Sequence, residues 1–186
     1  DLFHQKDTIF SHYWEKYKLD SLSGQWDYIE PMLFGYAAGR VIECYYEYYI
    51  SSTHRVVAHF HEWMTGSGIL YLKEHCPQIA TVFTTHATVL GRCIAGNGLP
   101  LYKDMVHYQP AIVAANFGVV AKQSLETMAA THCDAFSTVS SITDRECHHF
   151  LGRNADRITP NGFSKDLAYN PDVHSATRRL VRTKIV

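Results

Sequence analysis

The sequence predicts a three-layer α/β domain, and three observations carry that reading. Three short apolar runs, Val56 to Phe60, Ile79 to Thr84 and Asp134 to Val139, have the length and β-branched or aromatic content of buried strands. Segments with apolar residues at helical spacing separate them, and the first two, parted by one short helix, must lie parallel and be joined by a right-handed crossover. Residues that cap or stop helices fall at the joints: Thr65, Pro77, Ser140 and Gly152. One domain is the natural reading of 186 residues, enough to bury a substantial core.

The elements follow in order. Ile9, Phe10, Tyr13, Trp14 and Tyr17 recur at helical spacing between Asp7 and Lys18, with Asp7 or Thr8 as the cap. Asp20, Ser21, Ser23 and Gly24 then suit a loop. The longest periodic segment runs from Asp27 to Ile50 as one or two helices, with Glu30 and Pro31 in a first turn that tolerates both. Its tyrosines read as the edge of a core helix. After the first strand, Thr65 caps a helix that closes on Lys73 and His75 before Pro77. Val89 to Arg92 starts a short helix or turn, 95–100 reads as a loop, and 101–112 carries no clear pattern. A single helix is expected from Ala115 to Ala130, with Lys122 and Glu126 as an i,i+4 pair. Ser140 or Ser141 caps a helix ending near Leu151, Arg157 to Thr159 is a short edge strand, and Pro160-Asn161-Gly162 is a sharp turn. The basic tail has too few apolar residues to define a packed element. The expected division is a helical segment at 1–55, an α/β core at 56–163 and a linker or helix at 164–186.

Composition narrows the function classes. A formal charge of −1 argues against a general nucleic-acid or anionic-membrane surface. No secretory leader opens the chain and no apolar run reaches spanning length. The five cysteines are scattered and lack metal spacing, so they read as mostly buried free thiols in a reducing cytoplasm.

The chemistry gathers where strands end. His59 and His61 sit two residues apart and share one face of the first strand; His86 follows the second strand at the same rim. Such a cluster suits a general acid/base, sugar or phosphate site, or a metal. The helical His-Glu-x-x-His pattern of zinc hydrolases is absent, as are a nucleophile elbow around Ser140 and a phosphate loop around Gly66 or Gly96. No metal and no cofactor is expected.

Four blocks in fixed order then carry a resemblance. They are Val57-Ala58-His59-Phe60-His61-Glu62-Trp63; Val82 to Arg92, which includes Thr85-His86-Ala87-Thr88; Phe136 to Thr143, with Glu146; and Pro160-Asn161-Gly162. Together they resemble glycogen (starch) synthase of the animal-and-fungal type, and the resemblance is also close to bacterial members. It implies the amino-terminal part of a GT-B glycosyltransferase with two Rossmann-like domains. The reaction implied is transfer of glucose with retention from a nucleotide-glucose, UDP-glucose favoured over ADP-glucose, to the non-reducing end of an α-1,4-glucan. A missing carboxy-terminal domain is implied as the partner of this one, in a cytoplasmic protein that could form a homo-oligomer, and the fragment alone is expected to be inactive.

By the same resemblance His61 is the catalytic residue, matching the histidine that contacts the transferred glucose, while Asn161, Thr85 and His86 bind substrate or shape the cleft. An imidazole or a backbone oxygen set against the sugar would stabilise positive charge developing at the anomeric carbon. Glu62 is the nearest carboxylate should the transfer pass through a covalent intermediate. Two other classes stay open: a non-catalytic glucan-binding or scaffold module using the tyrosine-rich surface, and a metallohydrolase using His59, His61 and His86.

Overall fold

The computed structural model describes residues 2–50, 53–164 and 171–183. Four parallel strands, β1 (Val57–His61), β2 (Ala80–Thr85), β3 (Ala135–Thr138) and β4 (Arg157–Ile158), lie side by side in chain order. Because each crossover steps the same way across the sheet, right-handed connections put their helices on one face. That face carries Ala58 and Phe60 from β1, Phe83 from β2 and Phe136 from β3. They share one buried core with α3 (Gly66–His75), α7 (Val120–His132) and α8 (Ser141–Leu151).

The third layer lies behind those helices. Ile9, Phe10 and Tyr13 of α1 (Lys6–Tyr17) and Tyr28, Met32 and Leu33 of α2 (Trp26–Tyr45) enclose a second core with Leu70 of α3 and Leu125 of α7. The layers therefore run sheet, inner helices, outer helices. The other face of the sheet presents Val57, His59 and His61 to solvent, and no cluster of buried apolar side chains forms on it among the described residues.

Several local expectations need correction. Helix α2 starts at Trp26, so Pro31 lies in its second turn rather than its first. Only the carbonyl of Asp27 loses its i+4 donor there. The helix expected from Ala115 to Ala130 is two: α6 (Pro110–Asn116) and α7, parted at Gly118, whose φ of +65° a side chain would resist. Helix α4 (Val89–Gly96) runs two residues into the expected loop, and α5 (Leu101–Asp104) opens the stretch without pattern. Lys122 does not pair with Glu126; its ammonium reaches Asp27 and lies over the Trp63 ring, because Glu126 is turned wholly inward. Helix α9 (Pro171–Arg182) forms in the tail, and its described side chains are exposed. Ile185 and Val186 lie outside the described residues.

Tyr28 shows where the helical layers fit imperfectly. Its ring is fully buried and stacks on Trp63 at 6.2 Å, but its hydroxyl has no hydrogen-bond partner. A stranded hydroxyl costs about 1–3 kcal/mol, so Tyr28→Phe is expected to leave stability unchanged or raise it by about 1 kcal/mol. Urea melts of the two proteins check this, and a clear loss of stability would show that the hydroxyl is satisfied.

Candidate functional site

The parallel sheet brings the carboxyl ends of β1 and β2 to one rim. His61 is the last residue of β1 and is in register with Thr84, and His86 follows β2 directly. The two imidazoles meet there, with His61 Nδ1 3.2 Å from His86 Nε2. His59, two residues back on the same face, sets its ring 4.2 Å from that of His61. Its Nε2 lies 2.7 Å from Thr84 Oγ1, which lies 2.6 Å from Ser137 Oγ, so a polar row crosses three strands. Two facing ring nitrogens share a single proton, so one of the pair must be unprotonated at the contact. Burial holds the His61 ring below the usual histidine range, with the neighbouring His59 and His86 acting the same way and Glu62 opposing. At neutral pH this ring is therefore a hydrogen-bonding group rather than a fixed cation.

Three carboxyl side chains hold the rim from beneath. The chain leaves β1 through Glu62, whose φ of 63° and ψ of 159° fall in a region that only glycine enters freely, at a cost on the order of 1–3 kcal/mol. One oxygen of Glu62 accepts from the His86 backbone N–H and from the Arg92 guanidinium, both at 3.1 Å. Deeper, Glu126 is fully buried and accepts from the Thr85 hydroxyl at 3.0 Å and the Val89 N–H at 2.9 Å. Burial pushes its carboxyl up to about 8, so it is neutral at pH 7. Glu146, also buried, accepts from Thr88 and Tyr102 hydroxyls at 2.9 and 2.8 Å. The loop between β2 and α4 is thus tied down at His86, Thr85, Thr88 and Val89 by three carboxyl groups.

The match to known proteins covers nearly all of this framework. The family described as "Glycogen synthase" matches residues 3–170. The chain belongs to the glycogen synthase family. It is 36% identical over 137 residues to "Glycogen [starch] synthase" of Dictyostelium discoideum, covering 74% of this chain and 15% of that protein. It is 37% identical over 135 residues to the Caenorhabditis elegans protein of the same name, covering 73% and 20%. Against "Glycogen [starch] synthase isoform 2" of Saccharomyces cerevisiae the identity is 38% over 117 residues, covering 62% and 17%. The chain thus spans 15–20% of the length of these relatives.

Within this family member the expected site residues divide. His61 and His86 stand together at the exposed rim. Thr85 is fully buried, and its hydroxyl is used on Glu126 and the Ala87 carbonyl, so it shapes the rim from below. Asn161 is exposed beyond β4, at the opposite edge of the sheet. Three strand spacings separate β4 from β1, roughly 14 Å. The backbone oxygen of His61 accepts from the Thr65 hydroxyl at 2.7 Å. The Glu62 side chain is 15% exposed and turned towards His86 and Arg92, an arrangement that does not suit a nucleophile. Among the described residues, no group of three or more His, Cys, Asp or Glu side chains is arranged to hold a metal ion, and no helix is long and apolar enough to cross a membrane. The arrangement therefore does not favour the metallohydrolase alternative.

Sequence reasoning named Glu126 and Glu146 but missed that both are buried, although their spacing gives this away. Glu126 lies on the stripe of Ala121, Leu125, Ala129 and Ala130, and Glu146 on that of Thr143, Cys147, Phe150 and Leu151, all buried. A glutamate on the apolar stripe of a core helix must find buried partners, and loop 85–89 supplies them.

Proposed function

We propose that this chain is part of the amino-terminal domain of a cytoplasmic glycogen synthase, and that its His61–His86 rim forms the glucose-facing wall of the donor cleft. The observation that carries the reading is His61 itself: it lies in the matched region, at the carboxyl end of a parallel strand and at an exposed rim, with a ring kept neutral by its surroundings. A neutral imidazole accepts or donates to a sugar hydroxyl without competing for the donor diphosphate as a cation would. Through the transition state, that hydrogen bond strengthens as the ring hydroxyls become more acidic beside an oxocarbenium-like centre. His86 fixes the tautomer of His61 by taking or giving the proton at Nδ1.

The full reading is transfer of glucose with retention from UDP-glucose, in preference to ADP-glucose, to the non-reducing end of an α-1,4-glucan. It assigns the activity to the whole protein, with residues 164–186 leading towards a second domain that completes the cleft; this chain alone is expected to be inactive. In the full-length protein, His61→Ala is expected to lower kcat on the order of a hundredfold, the size of effect seen when one transition-state hydrogen bond is removed. Incorporation of labelled glucose into glycogen from each donor measures it. Wild-type rates in the variant would remove His61 from the mechanism, and absence of transfer from either donor by the wild type would sink the whole reading.

A further inference from the structure

Glu62 combines two features that a spacer between a strand and a helix does not need. Its backbone occupies a conformation reserved for glycine, yet the residue is a long, charged side chain. That side chain is folded back under the rim, where it holds the backbone N–H of His86 and the guanidinium of Arg92. The backbone on either side is fixed as well. The Glu62 N–H donates to the Thr84 carbonyl at 2.9 Å, and the Thr65 hydroxyl donates to the carbonyls of His61 and Glu62. The unusual dihedrals turn the chain sharply as β1 ends, and the carboxylate then ties the end of β1 to the residue that follows β2.

The geometry points to Glu62 as the residue that positions the His61–His86 pair. Its backbone turn sets the end of β1, which carries His61, and its carboxylate sets the main chain of His86, so one residue fixes both partners of the 3.2 Å contact. Glycine in its place would adopt the same dihedrals more readily and would hold neither His86 nor Arg92. A glutamate held in strained dihedrals, with its carboxylate on two donors of the rim, has the features a positioning role requires. Arg92 counters the charge of the carboxylate and keeps it at the rim, its own side chain 58% exposed. The inference rests on the reading of this rim as the glucose-facing wall, although its geometric part can be tested apart from that reading.

The test compares Glu62→Gly and Glu62→Gln. In this chain, labelled on histidine, the nuclear Overhauser effect between the His61 and His86 rings is expected in the wild type and in Glu62→Gln. The carboxamide oxygen still accepts from the His86 N–H. In Glu62→Gly it is expected to vanish, while the melting temperature stays within a few degrees of the wild type. In the full-length protein, Glu62→Gly is expected to lower kcat at least tenfold with KM for the nucleotide-glucose changed less than threefold, and Glu62→Gln to restore most of the rate. An intact ring contact in Glu62→Gly, or a Glu62→Gln as damaged as Glu62→Gly, overturns the assignment. If the wild-type protein transfers no glucose, the functional reading fails, and the ring contact alone still decides whether Glu62 positions the pair.

Discussion

Glu126→Gln is expected to stabilise the protein at pH 7 and to flatten its stability between about pH 4.5 and 8. Glu126 is fully buried, and its folded-state carboxyl lies near 8 against an ordinary value of 4.5. Between those values the unfolded chain has released this proton and the folded chain still holds it, so the folded state binds one proton more. Stability therefore falls as pH rises through the window, by about 1.4 kcal/mol per pH unit. Below the window both states are protonated and the effect is absent; above it both are ionised and the penalty is complete. By pH 7 the loss relative to pH 4.5 is on the order of 3 kcal/mol. Glutamine has the same shape and no titration. Its oxygen accepts from the Val89 N–H while its amide donates to the Thr85 hydroxyl, which can pass its own proton to the Ala87 carbonyl. Urea melts of both proteins from pH 4.5 to 8 measure the difference, which cancels the contributions of every other titrating group. Parallel curves for the two proteins would show that Glu126 is ionised in the fold.

The same residue shows what sequence could and could not convey. The strands, the parallel pairing of the first two and the meeting of His61 with His86 were legible, because two apolar runs ending in polar residues and separated by one short helix leave a single chirality of connection. The cap of α8 was legible to within one residue, as Ser140 or Ser141, and it is the Ser140 hydroxyl that accepts from the Thr143 N–H at 3.1 Å. Thr65 was placed correctly, but its hydroxyl turns to the His61 and Glu62 carbonyls instead of capping α3. The pairing of Lys122 with Glu126 was misread for a physical reason: i,i+4 spacing places two side chains on one face without saying whether water reaches it. Here the face turns into the core, and the lysine escapes to Asp27. The conformation of Glu62 left no trace in residue type at all. A glycine there would have announced the turn, and a glutamate conceals it.

Gly68→Ala is expected to be clearly destabilising. A Cβ at residue 68 would stand 2.7 Å from the Gly35 carbonyl oxygen of α2 and 2.5 Å from the Phe60 ring of β1. A flexible side chain could yield, but here one neighbour is backbone and the other a buried aromatic ring within the main core. Alanine gains up to about 1 kcal/mol over glycine inside a helix, whereas forcing atoms into a filled core costs about 1–3 kcal/mol or more. The second term wins because α3 cannot retreat: it is held between β1 and α2, and moving it from one opens a void against the other. A loss of about 2 kcal/mol is expected, or roughly 4–8 °C in melting temperature for a chain of this size. Gly96→Ala in α4 is the matched control, since its Cβ would meet nothing within 4 Å and only the helical gain remains. Opposite signs for the two variants in thermal melts are the expected result. Equal and small effects would mean that α2, α3 and β1 are packed more loosely than their backbones imply.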